Sequence, residues 1–250
     1  MPAAKPLTDH ASSKQWTVVD DRMKAEIARR KPKPADVGRA REIATILRRE
    51  FPDAKCALNF KTPFQLLIAT ILSAQCTDER VNQVTPGLFR KYKTPKAFAA
   101  APEGELEEDI RTTGFFNAKA KSLRACCQTL VDDFAGVVPD RIEDLITLRG
   151  AARKTANVVR MHGFQYPGLS VDTHFTRIMH RLKLTKEFDP EKIEFDIGAL
   201  LPPDDWTSFA TTVIAHGRKT CHARNPKCDA CPIQKLCPNA FKAQGNPRRV

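Results

Sequence analysis

The sequence predicts an all-α protein, and two patterns indicate this class. Between residues 35 and 240, apolar side chains recur mostly three or four positions apart and almost never alternate, which is the period of an α-helix. A capping side chain also stands directly before a proline at three places, Thr62-Pro63, Thr94-Pro95 and Asp189-Pro190. Threonine and aspartate bind the free N–H groups of a helix start, and proline fits its first turn. The 250 residues are enough for one large domain or two smaller ones.

Eleven helices are expected, and their order follows these start signals and the glycine and proline stops. The clearest stops are Phe51-Pro52 and His162-Gly163, while Gly114 and Gly136 interrupt other apolar stretches. Each expected helix has an ordinary length for a globular protein. They span residues 36–50, 63–76, 79–91, 95–101, 103–111, 117–134, 140–147, 153–162, 172–183, 190–200 and 204–217.

Charge indicates the kind of partner. The chain carries 41 Lys and Arg against 29 Asp and Glu, a formal net charge of +12, so a polyanion such as nucleic acid is the expected partner. A hydrophobic content of 42% argues against wholesale disorder. The longest apolar run, Leu66–Leu72, is far shorter than the roughly 20 residues of a membrane span. With no secretory signal expected, we predict an intracellular, DNA-associated protein, located in the cytoplasm or nucleoid if the source is bacterial.

The two ends of the chain have a different composition. Residues 1–34 are rich in lysine and arginine and are broken by Pro32 and Pro34, so we expect a disordered basic tail that is either solvated or touches nucleic acid. The last residues, 241–250, are expected to be frayed.

The eight cysteines form two groups. Cys56, Cys76, Cys126 and Cys127 are scattered through apolar segments, where a cysteine behaves as a small hydrophobic residue. The other four have a dense spacing, Cys221-x6-Cys228-x2-Cys231-x5-Cys237, which indicates metal binding in a reducing compartment.

Two kinds of metal centre fit four such thiolates. Zinc ribbons pair two Cys-x2-Cys units, whereas iron–sulfur clusters accept asymmetric runs with one such unit. The single Cys-x2-Cys at Cys228 and Cys231 therefore favours a four-iron four-sulfur cluster, with zinc as the alternative. Four cysteine ligands leave no open coordination position, so the expected role of the metal is structural.

A short connection between two predicted helices is the candidate anion site. In the run 145–159 a very short turn at Gly150 precedes a new helix, whose unpaired N–H groups suit a phosphate. Arg149 and Arg153 add positive charge. Taken alone, Lys154 is compatible with a simple exposed helix lysine, and Asp172 with a simple helix N-cap.

Several stretches together resemble the endonuclease III family of helix-hairpin-helix DNA glycosylases. They occur in the family's order and cover roughly residues 36–240. The matching stretches are Leu72-Ser-Ala-Gln-Cys-Thr-Asp78, Thr113-Gly-Phe-Phe-Asn-Ala-Lys119, Arg153-Lys-Thr-Ala-Asn-Val-Val159, Val171-Asp-Thr-His174, His216-Gly-Arg218 and the four-cysteine run.

The resemblance implies a two-domain, all-α helix-hairpin-helix DNA glycosylase fold. A six-helix barrel domain with the hairpin would span residues 56–166, and an iron–sulfur cluster domain would combine residues 35–55 and 167–240. The implied protein is a monomer that binds double-stranded DNA with damaged bases or abasic sites. Its implied activity is that of a bifunctional DNA glycosylase and AP lyase of base excision repair, which excises oxidised pyrimidines and nicks the strand by β-elimination.

The resemblance also assigns site residues. Lys154 would be the nucleophile that forms a Schiff base with the sugar, and Asp172 its carboxylate partner. Gln75 would fill the gap left by the flipped base, and Phe115 would wedge into the base stack, a role that Phe116 could exchange with it. Two further sets follow: DNA contacts from Arg149, Gly150, Ala152 and Arg153, and cluster ligands Cys221, Cys228, Cys231 and Cys237.

One departure from the family concerns the hairpin. The family usually reads Leu-Pro-Gly-Val-Gly, and this chain reads Leu148-Arg149-Gly150-Ala151-Ala152. Proline's rigidity is lost, and Ala152 is expected to be strained if its position needs a left-handed backbone. We therefore expect an Ala152→Gly substitution to tighten DNA binding.

Two other functions remain as alternatives. Adenine-specific mismatch glycosylases generally lack the hairpin lysine and carry a glutamate in the helix before the Gln75 motif, where this chain has residues 69–72, Ala-Thr-Ile-Leu. A non-catalytic iron–sulfur DNA-binding protein or electron carrier is the third possibility. Lys154 and Asp172 argue against it, while the altered hairpin argues weakly for it.

Overall fold

The computed structural model describes residues 14–242, and this part of the chain contains α-helices, short 3-10 turns and a π-helical segment but no strand. The expected all-α class is confirmed. In chain order the α-helices are α1 Asp21–Arg29, α2 Pro34–Glu50, α3 Pro63–Leu72, α4 Asp78–Lys91, α5 Pro95–Ala99, α6 Glu105–Ile110, α7 Phe116–Asp133, α8 Ile142–Leu145, α9 Arg153–Val158, α10 Thr173–Arg181, α11 Pro190–Leu200 and α12 Pro203–Lys219. The 3-10 turns are Lys14–Val18, Arg111–Thr113 and Gln234–Leu236, and the π-helix is Val159–Gly163.

The capping hydrogen bonds predicted at three helix starts are present in the structure. The side chains of Thr62, Thr94 and Asp189 each accept a hydrogen bond from the backbone N–H three residues later, at 3.0–3.2 Å. All three prolines that follow occupy the first turn. Capping chemistry in the sequence was therefore sufficient to place these starts.

Helix ends were less predictable. The helix expected over 63–76 stops at Leu72, because Gln75 has a left-handed backbone with φ +52° and cannot continue it. The helix expected over 153–162 changes at Val159 into the π-helix.

The expectation of disorder across residues 1–34 is wrong for the part that the structure describes. Residues 14–18 form a 3-10 turn and α1 follows, capped by Asp20, whose Oδ1 accepts from Met23 N at 2.7 Å. Met23 and Ile27 are buried, at the four-residue spacing of one helix face. Residues 1–13 of the expected tail and 243–250 of the expected frayed end lie outside the described residues.

Two compact units make up the chain. The first, called here the hairpin unit, is the continuous segment 56–165. The second, called here the cysteine unit, combines 1–55 with 166–250, of which 14–55 and 166–242 are described.

The hairpin unit is organised around α3, whose residues 66–72 are all buried. These side chains join a single apolar core with residues of α7, α9 and the π-helix. The π-helix packs closely on the start of α3, since a Cβ on Gly163 would lie 3.2 Å from Pro63 Cα. Cys126 and Cys127 are fully buried in this core, and Cys56 and Cys76 pack against its edge.

The cysteine unit packs α10 and α2 against α12. Gly217 permits the close approach of α10, because a Cβ there would lie 3.0 Å from His174 Cβ and from Ile178 Cδ1. In the same unit α1 lies on α11 at Gly198, where a Cβ would come within 2.9 Å of Met23 and Ile27. The ion pairs Arg22–Glu191 and Arg30–Asp196 flank this contact.

Among the helices that the structure describes, none combines the length and the apolar character needed to cross a membrane.

Candidate functional site

The hairpin of the first unit is a four-residue turn between α8 and α9. Ala151 N donates to Leu148 O at 2.9 Å, and Gly150 has φ +88°. Positive φ at the third position is the mark of a type II turn, which uses glycine there and often proline at the second position. Arg149 occupies that second position and is exposed. The arginine therefore gives up proline's rigidity without changing the turn.

The strain expected at Ala152 is absent, and that expectation is corrected. Ala152 has φ −66° and ψ 168°, an extended backbone that any residue adopts. The left-handed requirement of the hairpin falls on Gly150, which the sequence retains.

Lys154 lies on the first turn of α9 and is exposed. Its neighbours in sequence are held in place: Thr155 and Ala156 are buried, and Ala156 N donates to Ala152 O at 3.0 Å. This segment thus presents a solvent-accessible amine three residues after Ala151, the last residue of the turn.

Gln75 and Phe115, also in the hairpin unit, share an unusual backbone. Gln75 has φ +52° and Phe115 φ +50°, both left-handed without being glycine, and both side chains are exposed. Left-handed backbone at such residues costs about 1–2 kcal/mol each and is typical of functional positions. Phe115 is 66% exposed, whereas Phe116 packs against the core. Phe115 is therefore the aromatic ring available to a ligand.

Asp172 belongs to the cysteine unit and caps α10. Its Oδ1 accepts from Phe175 N at 2.8 Å, and the side chain is half-buried. The cap fixes the rotamer of the carboxylate. Nearby on the same helix, burial lowers the pKa of His174, an effect that the Asp172 carboxylate opposes.

The four clustered cysteines surround one cavity. Its volume is about 430 Å³ when the solvent-filled space at its mouth is counted. Apolar side chains such as Ile178, Leu182 and Ile233 complete its wall. The cysteines that line it are Cys221, Cys228, Cys231 and Cys237.

Two arginines of α10 hold the chain around this cavity. Arg181, only 3% exposed, donates to Cys221 Sγ at 3.1 Å and to the carbonyls of His222 and Ala223 at 2.7 and 2.9 Å. Arg177 donates to Cys221 O at 2.8 Å. The sequence alone indicates neither arginine, because no local pattern distinguishes a buried or half-buried arginine on a helix from an exposed one.

These surroundings suit an anionic cluster. A buried arginine requires a counter-charge, and four thiolates supply it in excess. Phe241 N also donates to Cys228 Sγ at 3.4 Å, and hydrogen bonds to cluster sulfurs are one way in which proteins tune such centres. Burial raises the pKa of Cys231 to about 11, so metal binding there releases a proton.

The arrangement of the four cysteines fits a four-iron four-sulfur cluster. A four-iron cluster places each thiolate on a different iron, so its ligands stand around a volume. The four cysteines around one cavity match that requirement.

Comparisons with known proteins agree with these features. Residues 68–203 match the family model of the HhH-GPD superfamily base excision DNA repair proteins, and residues 221–237 match the iron–sulfur binding domain of endonuclease III. Endonuclease III of Synechocystis sp. is 52% identical over 203 residues, which cover 81% of this chain and 93% of the relative.

Solved structures give the same result. A non-covalent endonuclease III–DNA complex and a trapped endonuclease III–DNA covalent intermediate each superpose with a TM-score of 0.78 at 39% identity. Each comparison covers 82% of this chain and 97% of the other. A thermostable thymine-DNA glycosylase, 22% identical with a TM-score of 0.75, shares the fold.

The hairpin, the cysteine cavity and these matches lead to one conclusion. The chain belongs to the endonuclease III family of helix-hairpin-helix base excision repair enzymes, DNA glycosylases and AP lyases whose cofactor is a four-iron four-sulfur cluster.

Proposed function

We propose that this enzyme removes oxidised pyrimidines from duplex DNA and then nicks the strand, with Lys154 as nucleophile and Asp172 as its carboxylate partner. The observation that carries the proposal is the exposed amine of Lys154 on the first turn of α9, directly after the hairpin turn. The cofactor is bound at four cysteine positions and supplies no step of this chemistry.

The reaction begins with a flipped nucleotide, because a base pair hides the sugar C1′. The neutral amine of Lys154 attacks C1′, and the bond from C1′ to the base breaks, so that the base leaves with the electron pair and takes up a proton. Opening of the sugar ring gives an iminium linkage between Nζ and C1′. The Asp172 carboxylate stabilises the positive charge that develops on the sugar. Since Oδ1 is engaged in the helix cap, Oδ2 is the oxygen that serves this role.

Strand cleavage follows from the same linkage. The iminium acidifies a C2′ proton, its removal expels the 3′ phosphate by β-elimination, and hydrolysis then frees Lys154. Uncatalysed elimination is slow, and the covalent link to the protein supplies the electron sink.

The proposed DNA contacts are of two kinds. Gln75 and Phe115 enter the duplex, and base stacking on an aromatic ring such as Phe115 is worth about 1–3 kcal/mol. The hairpin residues Arg149, Gly150, Ala152 and Arg153 contact phosphates. We propose Cys221, Cys228, Cys231 and Cys237 as the cluster ligands.

The enzyme acts inside the cell on the chromosome and as a monomer. The large apolar side chains that stand exposed in residues 14–242 belong to separate loops and helix ends, which argues against a wide apolar interface. They are Phe115, Val137, Ile146, Phe188 and Phe241.

A trapping experiment tests the nucleophile. Borohydride reduces the Schiff base, so the wild type should become covalently bound to an abasic-site duplex, and Lys154→Gln should lose that adduct while still binding DNA. Lys121→Gln removes another exposed lysine of the hairpin unit and should trap normally. Trapping by Lys154→Gln at the wild-type level would mean that another amine reacts.

Substrate choice needs a second assay. Duplexes with an oxidised thymine should be nicked, and duplexes with adenine opposite an oxidised guanine should not. The reverse preference would favour the adenine-specific relatives, and binding without nicking of either duplex would favour a non-catalytic protein.

A further inference from the structure

Lys119, on the first turn of α7, is a buried cation that the proposed chemistry does not use. The residue is 6% exposed, and its Nζ donates to two backbone carbonyls, Leu72 O at 2.8 Å and Thr113 O at 2.7 Å. Burial lowers the pKa of this lysine, so the fold maintains an ammonium where desolvation disfavours it.

The two carbonyls end two different elements. Leu72 is the last residue of α3, and Thr113 is the last residue of the 3-10 turn that follows α6. Carbonyls at a helix end lack intrahelical partners, and a cation there is favoured by the helix dipole as well as by hydrogen bonding. One Nζ therefore joins the ends of two separate elements.

Each end leads directly into a loop that carries one left-handed residue. Gln75 lies three residues after Leu72, and Phe115 lies two residues after Thr113. Both have φ near +50° and exposed side chains. Such backbones persist only where their surroundings hold them, and Lys119 anchors the chain just before both.

We propose that Lys119 is a positioning residue that sets the separation of Gln75 and Phe115, the side chains that enter the DNA. Successive bases of a strand are about 3.4 Å apart along the helix axis, so two side chains that enter neighbouring steps act together only at a fixed separation. The inference rests on the proposed function, because it requires these two residues to act on DNA as described above.

The experiment compares two substrates that differ in whether a base stack must be opened. One is a duplex with an abasic site, and the other is a single-stranded oligonucleotide with the same abasic site, where no pair has to be separated. Lys119→Met removes the charge and both hydrogen bonds, and the ratio of duplex to single-strand rates should fall roughly 10- to 100-fold. Lys121→Met removes an exposed lysine of the same helix and should leave the ratio unchanged.

A lysine that only stabilises the fold would lower both rates together and leave their ratio constant, and that result would overturn the proposal. A cycle with a Gln75→Ala/Phe115→Ala double variant adds a second criterion, since interacting residues give non-additive effects. In that background Lys119→Met should have little further effect on the ratio. A full additional effect would mean that Lys119 acts by another route.

The design separates the two proposals. A wild-type protein that nicks neither substrate contradicts the proposed function, whereas an active wild type with an unchanged ratio in Lys119→Met contradicts the positioning role alone. If thermal unfolding shows that Lys119→Met does not fold, Lys119→Gln replaces it. The glutamine amide can still donate to one carbonyl, and a smaller fall in the ratio is expected.

Discussion

The interiors of the hairpin unit and the cysteine unit differ in composition. In the hairpin unit, α3 is surrounded by aliphatic and aromatic side chains that form one continuous apolar core. The cysteine unit has an apolar core of its own, but one part of it ends at a cavity ringed by four cysteines and held by Arg177 and Arg181. We therefore expect apolar burial alone to stabilise the first unit, and the second unit to depend also on its cluster.

This difference indicates how each unit responds to damage. A ligand that binds only the folded state adds its binding free energy to stability, so loss of the cofactor should weaken the cysteine unit selectively. The hairpin unit lacks that dependence and should keep its own structure.

Removal of one proposed cluster ligand is the strongest test of the comparison. Cys228→Ser should abolish iron binding and increase hydrogen exchange across α10 and the loop 220–237, while α3 and α7 keep their protection. Iron analysis and hydrogen-exchange mass spectrometry measure both effects. Cys56→Ser, outside the cavity, is the matched control and should retain its iron. A Cys228→Ser protein that kept native protection in α10 would refute the dependence on a ligand.

A second test asks whether the cysteine unit contributes to chemistry as well as to binding. Asp172→Asn should lower turnover by roughly 10²–10³-fold, because a neutral amide stabilises positive charge poorly. Stability should stay near the wild-type value, because Asn and Asp cap helices equally well. Asp172→Ala should lose activity and also about 1 kcal/mol of stability. Single-turnover kinetics measure the rate, and thermal unfolding measures the stability. Normal turnover in Asp172→Asn would mean that Asp172 serves only as a helix cap.

The contact of α1 with α11 provides a smaller test, confined to the cysteine unit. Gly198→Val should destabilise this unit by about 1–3 kcal/mol, because added methyl groups collide with Met23 and Ile27. Gly38→Val, in the exposed face of α2 with no neighbour within 4 Å, should change stability by no more than about 0.5 kcal/mol. Chemical denaturation compares the two variants, and equal stability would show that α1 contributes nothing.

The hairpin turn should give the smallest effects. Arg149→Pro fits the second position of a type II turn, and it should reduce the slope of DNA affinity against salt concentration by about one unit without altering the fold. Ala152→Gly should bring no gain in affinity, because Ala152 is unstrained, and should change stability by less than about 1 kcal/mol, because glycine's greater freedom in the unfolded chain opposes its advantage over alanine at a helix N-cap. Binding titrations at several salt concentrations decide between these results and the tighter binding that a strained alanine would give.

The sequence was sufficient to predict the features that depend on local chemistry. Caps, proline positions and apolar spacing placed the helices, and Gly150 was recognisable as the residue of a tight turn. The N-terminal helix was missed although Met23 and Ile27 have helical spacing, because the surrounding lysines and prolines suggested a solvated tail. This helix packs on the surface of α11 around Gly198, which lies far away in the sequence, so no local pattern predicts the contact.

The residues that anchor loops to the fold could also not be predicted from the sequence. Lys119 and Arg181 have the sequence context of ordinary exposed cations on helices, and only the fold shows that both are buried on backbone carbonyls. The strain expected at Ala152 was wrong for a related reason. A family motif indicates which residue types occur at a turn, but the backbone angles show which of its positions needs glycine.

The interruption of the cysteine unit by the whole hairpin unit has a consequence for synthesis. On the ribosome the hairpin unit is complete once residue 165 has emerged, whereas α1 and α2 need partners on α11 and α12 that have yet to be translated. At about 5–20 residues per second the remaining chain takes several seconds more. During that interval the apolar faces of α1 and α2 stay uncovered, and iron–sulfur insertion has to wait until Cys237 leaves the exit tunnel. We therefore expect the nascent chain to carry the proposed catalytic lysine on a folded unit while its N-terminal segment, with α1 and α2, is still a client for chaperones.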